Sequence, residues 1–365
     1  MSKTKIINLD LELNRRVLFI SDIHGSPSLL NEALDKASFN EKDYLFILGD
    51  VIEKGTKSLE TLRIVMKLCK QDNVFMILGN CDEMLNKIRQ DSYSEHMKKY
   101  VLNIRNTIFK EMASAIDYEI SANMDFDDFR NSLLINFKDE FDFIESLPHI
   151  ITLNEHIVLV HAGIDDINNI PEDSWKVMKY DYFVDKSPSQ KKLMIVGHCP
   201  SVNYNNTYIW CNPLRSFQKN IITIDGGNNV INRGGQLNVL IIDKMSEVNI
   251  SYINVDNLEK IKVKKDIFYE QKESYSVTFH DSKVSVVKSV GDFYLVKHLS
   301  TNNLIYAVKT EVREIGEEFN VCDATNYFIP LQKGETVSLV LKANPYSIIK
   351  NNGIIGLVKT KELFN

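Results

Sequence analysis

Cysteine is scarce in this 365-residue chain, and its spacing forms no motif. The five cysteines (Cys69, Cys81, Cys199, Cys211 and Cys322) are odd in number and scattered, with no CxxC among them. That fits a reducing compartment. No apolar run approaches the length of a membrane-spanning helix. The opening MSKTKIINLDLELN lacks the apolar stretch of a secretory signal, so the sequence reads as cytoplasmic. An excess of positive charge is also missing. Lysine and arginine number 43 against 49 acidic residues, a net charge of −6, so nothing in the balance suggests an electrostatic nucleic-acid binder. The one basic stretch, KIKVKK at 260–265, is short and reads as a solvated strand or linker. The length and the 44% hydrophobic content leave room for one large domain and a small one.

What is present is concentrated in the first 200 residues. Five runs that read as buried strands, RVLFI, YLFIL, VFMIL, HIVLV and KLMIV, each lead directly into a polar motif. The motifs are SDIHG (Asp22, His24), GDVIEKG (Asp50, Lys54), GNCDE (Asn80, Cys81, Asp82), VHAGI (His161) and VGHCP (His198). Ligands at successive strand ends line one edge of a sheet, where open α/β sheets build their sites. Carboxylate and amide oxygens suit hard divalent ions, and imidazole suits manganese, iron, zinc or nickel. Two ions about 3.5–4 Å apart need a shared ligand, and a carboxylate such as Asp50 offers oxygen to both. Taken one at a time, each motif has an ordinary explanation: an N-cap, a turn, a satisfied histidine. Five of them in this order have none.

The set SDIHG, GDVIEKG, GNCDE, VHAGI, VGHCP resembles the signature of the calcineurin-like metallophosphoesterases. Within them it is most similar to the phosphoprotein phosphatase branch, which includes bacterial serine/threonine phosphatases and diadenosine tetraphosphate hydrolases. The resemblance covers roughly residues 15–230. It implies a two-metal phosphoesterase acting by direct attack of a metal-bridging hydroxide. It further implies that Asp22 and His24 bind the first ion, that Asp50 bridges, and that Asn80, His161 and His198 bind the second. The expected ions are two divalent metals, manganese foremost, with iron, zinc and nickel as alternatives. The expected substrates are phosphomonoesters, phosphorylated serine or threonine proteins first among them.

The pattern departs from the family in two places. The family's GNHE histidine, the usual proton donor to the leaving group, is Cys81 here. A thiol of pKa about 8.5 holds a proton at neutral pH but hydrogen-bonds weakly. Two readings of Cys81 stand: an altered acid, or a small residue packed in a turn. Asp82 or a metal-bound water is the alternative acid. GNCD also occurs in a phosphodiesterase-like branch, so phosphodiesters or dinucleoside polyphosphates are the alternative substrates. The family's DRG arginine is Lys54, which presents a point charge where arginine presents a fork. Lys54 reads either as a phosphate contact or as a surface lysine at a helix start. Lys176, Lys179 and Arg215 are further candidates that the spacing does not separate. In NIITIDGGNN, Asp225 follows another strand-like run and reads as either a wall of the site or a turn.

The expected architecture is α/β (α+β): a four-layer metallophosphoesterase β-sandwich flanked by helices over residues 1–255, with a small all-β barrel over 256–365. Helical periodicity follows the first two motifs in PSLLNEALDKA and KSLETLRIVMKLCKQ. Residues 85–148 read as a mostly helical cap or flank, including EHMKKYVLNIRNTIFKEMASAI as helix. EDSWKVMKYDYF at 172–183 reads as a further wall of the cleft. After residue 255 short β-rich runs such as SYSVTF, KVSVVK and TVSLVLK alternate with turn residues. Their close weakly resembles a bacterial Src-homology-type barrel. Such a module is expected to bind a peptide or to pack on the catalytic domain. No membrane or nucleic-acid partner is expected.

Overall fold

A computed structural model describes residues 3–364, apart from 248, 271, 272 and 317. The chain forms two compact units. The first comprises Met1–Cys199, Pro213–Asp225 and Leu237–Val255, and the second Pro200–Asn212, Gly226–Gln236 and Asp256–Asn365. Two short segments inside the first 255 residues therefore fold with the second unit. Ile209 and Cys211 belong to a buried cluster with Ile355, and strand Ile209–Trp210 pairs antiparallel with strand Ile354–Lys359. No local pattern in the sequence announces this pairing.

The first unit holds two sheets. In one, strands Val17–Ile20, Tyr44–Ile47 and Val74–Met76 run parallel, and Leu237–Ile242 and Ile250–Val255 extend the sheet antiparallel. The other, six-stranded, carries Ile157–Val160 and Leu193–Val196 as parallel neighbours near its middle. Strands 17–20, 44–47, 157–160 and 193–196 are buried at every position. Such continuous apolar runs mark strands covered on both faces. Alternate residues serve the two sides. Phe19, Phe46 and Leu48 meet Ile151, Leu159 and Ile195 of the other sheet in one core. Phe19 and Phe46 stack with centroids 5.7 Å apart. Truncating a ring packed this way, as in Phe46→Ala, costs about 3–5 kcal/mol. This makes the unit a sandwich with helices outside it.

Helices Pro27–Lys36 and Ser58–Leu68 follow the first two polar motifs. Between GNCDE and VHAGI lie helices Met84–Ile88, Ser94–Asn103, Ile108–Ala115, Phe126–Asn136 and Lys138–Ser146. The mostly helical reading of this stretch fits, and within EHMKKYVLNIRNTIFKEMASAI the helix is interrupted once. Ile104 turns extended, with φ −81° and ψ 129°, and Thr107 starts the next helix by accepting a hydrogen bond from the Lys110 N–H. A threonine side chain that satisfies an orphan helix donor competes with helix continuation.

The second unit is all β apart from short helical turns. Its two five-stranded sheets run in the orders 259–262, 336–341, 346–351, 354–359, 209–210 and 304–308, 293–298, 283–290, 318–320, 313–315. Each sheet has its own small core, Val263, Ile329, Val337 and Ile349 in one and Val277, Val284, Val296 and Ile305 in the other. A buried ion pair joins Lys350 Nζ to Asp256 Oδ2 at 2.7 Å, and Lys260 reaches the same carboxylate at 2.6 Å. Among the described residues no helix is long and apolar enough to cross a membrane.

Candidate metal centre

The carboxyl ends of the two sheets of the first unit bring the polar motifs together. Strands 17–20, 44–47 and 74–76 of one sheet lead into Asp22 and His24, Asp50 and Asn80, and strands 157–160 and 193–196 of the other lead into His161 and His198. The backbone must turn abruptly there. Asp22, His24, Asp50 and His198 all sit in the left-handed region, at φ 55°, 46°, 52° and 68°. Such conformations cost of order 1–3 kcal/mol each and persist only where the surroundings over-determine them. Backbone bonds supply that constraint: the Asp22 N–H donates to Gly49 O at 3.1 Å and the His24 N–H to Asp50 O at 3.0 Å. At Gly79, a Cβ would lie 2.3 Å from both the nitrogen and Oδ1 of Asp50, so only glycine fits.

Each imidazole is oriented from behind. His24 Nδ1–H donates to Ile52 O at 3.2 Å, His161 Nδ1–H to Leu48 O at 2.7 Å, and His198 Nε2–H to Asp181 Oδ1 at 2.8 Å. Partners of this kind fix the tautomer and leave the other ring nitrogen as a lone pair, the arrangement a metal-binding histidine needs. His161 Nε2 lies 3.4 Å from Asp50 Oδ1 and 3.2 Å from Asn80 Oδ1. His24 Nε2 lies 3.7 Å from Asp22 Oδ1 and 3.9 Å from Asp50 Oδ2.

Two ligand groups result, each with its ligand atoms within 4.8 Å of one another: His24, Asp50 and Cys81, and Asp50, His161 and His198. Asp50 belongs to both. Acceptors converge on the second group. Asn80 turns its side-chain oxygen toward acceptors only, and with the amide turned over its nitrogen would stand 2.8 Å from His198 Nδ1 and 3.2 Å from His161 Nε2 and Met178 O. A point shared by an amide, two imidazole lone pairs and a carboxylate calls for a cation. The same concentration of negative charge draws protons: burial alone would discharge His161, but Asp50 draws the imidazole up to about 10, so a bound ion would take the place of a proton on Nε2. Burial likewise works to raise the Asp50 carboxyl, yet His161 and His24 hold it far below the usual range. The residues present therefore fit a pair of divalent ions, with Asp50 between them.

The other residues singled out from sequence fall differently. Asp82 is fully buried and faces the backbone. Oδ2 accepts from the N–H groups of Asp50 at 2.8 Å and Gly79 at 3.1 Å, and Oδ1 from Val51 at 2.9 Å and Ile52 at 3.3 Å. Its carboxyl is pushed up to about 7 by burial and by Asp50, against the pull of those amides. Lys54, at φ 64°, is exposed, and its carbonyl accepts from Asn106 Nδ2 at 3.1 Å. Cys81 is buried beside Asp50, and burial with that carboxylate pushes the thiol well up. Lys179 is singled out among the remaining cations, its Nζ lying 3.4 Å from His198 Nε2 and 3.0 Å from Asp181. Asp225 is fully buried beyond strand Ile221–Thr223.

Sequence reasoning missed two supports. Asp181 orients His198, and its only signal was an acidic residue between the two histidine motifs. Glu53, buried at φ 70°, accepts from Tyr100 Oη at 2.6 Å and from the Ile108 N–H at 3.0 Å, tying the loop before Lys54 to two helices. Burial pushes its carboxyl up to about 7, against these two donors.

A sandwich whose strand ends present carboxylate, amide and imidazole acceptors to two ions defines a metal-dependent phosphoric-ester hydrolase. The chain belongs to the calcineurin-like phosphoesterase family, which matches it over residues 15–225. A symmetrical bis(5'-nucleosyl)-tetraphosphatase of Buchnera aphidicola subsp. Baizongia pistaciae is 42% identical over 103 residues, 28% of this chain and 34% of that protein. Its counterpart from Shewanella frigidimarina is 30% identical over 152 residues, 40% of this chain and 44% of that protein. The chain thus spans less than half the length of these relatives. Among solved structures, a Saccharomyces cerevisiae protein serine/threonine phosphatase aligns with a TM-score of 0.46 at 12% identity, over 70% of this chain and 85% of that one.

Proposed function

We propose that the chain hydrolyses phosphoanhydrides of the dinucleoside polyphosphate type in preference to phosphoserine or phosphothreonine. The observation that carries this reading is the residue at position 81. A serine or threonine leaving group departs as a strongly basic alkoxide and needs a proton, and a positioned general acid supplies about 10²–10⁴-fold for such a step. Here the position is a buried thiol, and Asp82 spends both carboxylate oxygens on backbone amides. A nucleoside polyphosphate leaves as a stable anion and needs no acid. The symmetrical tetraphosphatase relatives support the same substrate class.

The residues divide the work as follows. Asp22, His24, Asp50, Asn80, His161 and His198 hold the ions, and Asp181 and the carbonyls of Ile52 and Leu48 keep the imidazoles aimed. A divalent pair bound there supplies an activated water and positive charge for the phosphoryl oxygens. Asp82 fixes the backbone of residues 50–52 and 79, which sets where Asp50 points. Lys54 and Lys179 offer ammonium groups to phosphate oxygens without adding a proton donor of the right strength. Water adds to phosphorus and gives one proton to solvent, the anhydride P–O bond breaks, and the second nucleotide leaves unprotonated.

The test compares diadenosine tetraphosphate, a phosphothreonine peptide, p-nitrophenyl phosphate and its bis ester on protein reconstituted with manganese or zinc. The expected kcat/KM is higher for the tetraphosphate than for the peptide by about a hundredfold or more. A preference for the peptide would overturn the reading in favour of a protein phosphatase, and a preference for the bis ester in favour of a diesterase.

A further inference from the structure

Cys81 has a neighbourhood that neither an acid nor a filler requires. Its sulfur, a His24 ring nitrogen and an Asp50 carboxylate oxygen lie within 4.8 Å of one another, and all three residues are buried. The Cys81 N–H donates to Asp50 Oδ1 at 2.8 Å, which pins the residue against the shared carboxylate. A second contact involves a different side chain. With Asn80 Oδ1 turned toward His161, the Asn80 amide nitrogen lies 3.5 Å from Cys81 Sγ and donates to it. One orientation of one amide therefore serves both places: its oxygen faces the second ion position, and its N–H reaches the sulfur.

We propose that Cys81 is a ligand of the ion held by Asp22, His24 and Asp50, and that it gives this position a preference for thiophilic ions, zinc or ferrous iron, over manganese. The proposal rests on the two-ion hydrolase reading above. Its chemistry balances simply: the S–H proton passes to solvent as the sulfur–metal bond forms, as happens when thiols bind metals elsewhere. Two carboxylates, one imidazole and one thiolate make a donor set that suits zinc or iron. The second position, with its amide, carboxylate and two imidazoles, has no sulfur and no such bias. The two ions would then differ in kind. The assignment also accounts for why a residue at the proton donor's place leaves the chain without a donor.

The test uses the full chain stripped of metal and reloaded with cobalt(II). Two cobalt ions per chain are expected, with a near-ultraviolet thiolate-to-cobalt charge-transfer band. Cys81→Ser should abolish the band. Cys199→Ser, which changes the cysteine next to His198, should leave it intact. In competition, wild type should retain zinc against excess manganese, and Cys81→Ser should lower that preference by at least about tenfold. Two bound cobalt ions without a band in wild type would overturn the proposal whether or not the variant folds. So would a band that survives Cys81→Ser or disappears with Cys199→Ser. Failure to bind cobalt at all would remove the two-ion reading itself, a result that metal content distinguishes from the others.

Discussion

Strand Val17–Ile20 is buried at each of its four residues, whereas strand Lys283–Val290 buries one of its eight. The first is covered on both faces and ends in Asp22 and His24. The second leaves Val286, Val287, Lys288 and Ser289 exposed in succession, on both faces, and the Asp292 that follows it spends its carboxylate on the Asn344 backbone N–H at 2.8 Å. The difference shows what a metal centre asks of a scaffold. Ligands in strained left-handed backbone stay put only if the strands beneath them cannot shift, and full burial on both sides supplies that rigidity. The second unit is built from half-exposed hairpins with small cores, and the buried Lys350–Asp256 pair is a costly feature of it.

The sharpest way to separate the two units is to damage each where it is most particular. Asp50→Asn should lower kcat by about 10³-fold or more while the protein stays folded, because a single group shared by both ions is weakened. Steady-state kinetics and metal content measured together check this, and near-normal turnover with two ions retained would break the assignment. Lys350→Met should do the reverse. It removes one of the two ammonium groups that hold the Asp256 carboxylate below its ordinary range against its burial, leaving Lys260. The expected loss of stability is about 3 kcal/mol, the lower end for a broken buried pair because Lys260 stays. It would be read by urea unfolding, with hydrolysis per folded molecule unchanged.

A smaller effect tests whether burial in the first unit also makes it sensitive to pH. His149 precedes strand Ile150–Leu153, and its Nδ1 accepts from the Lys5 N–H at 2.9 Å. Burial, with Lys5 nearby, pushes its imidazole down to about 4. Below pH 6.5 the unfolded chain takes up a proton that the folded chain refuses. Stability should therefore fall as the pH drops from about 6.5 to 4, by up to about 3 kcal/mol. Urea midpoints of wild type and His149→Gln across that window should converge at low pH. Parallel curves would show that His149 is not the cause.

The catalytic sandwich was legible because its signals are local. A buried run followed at once by Asp, His or Asn needs no knowledge of distant chain, and the six ligand-type residues named from sequence do gather at one place. What could not be read depends on contacts between residues far apart in the chain. Strand Ile209–Trp210 pairs with residues near 354, and nothing within either segment specifies the other. Glu53 meets Tyr100 and Ile108 across about fifty positions, and Asp181 meets His198 across 17 that hold a short helix and a strand. The identity of residue 81 was plain from the start. Its nearness to His24 was not, since that depends on how two loops from different strands cross.

The left-handed backbone at Asp22, His24, Asp50 and His198 also limits what the site can become. Asp, Asn, His and Gly tolerate that conformation, while β-branched residues do not. Over evolutionary time these positions can trade carboxylate for amide or imidazole and keep the loops intact, so the chain can drift between metals and reactivities in small steps. The routes that would fill the cleft with valine or isoleucine and turn the fold into an inert scaffold are closed by the backbone before chemistry is consulted.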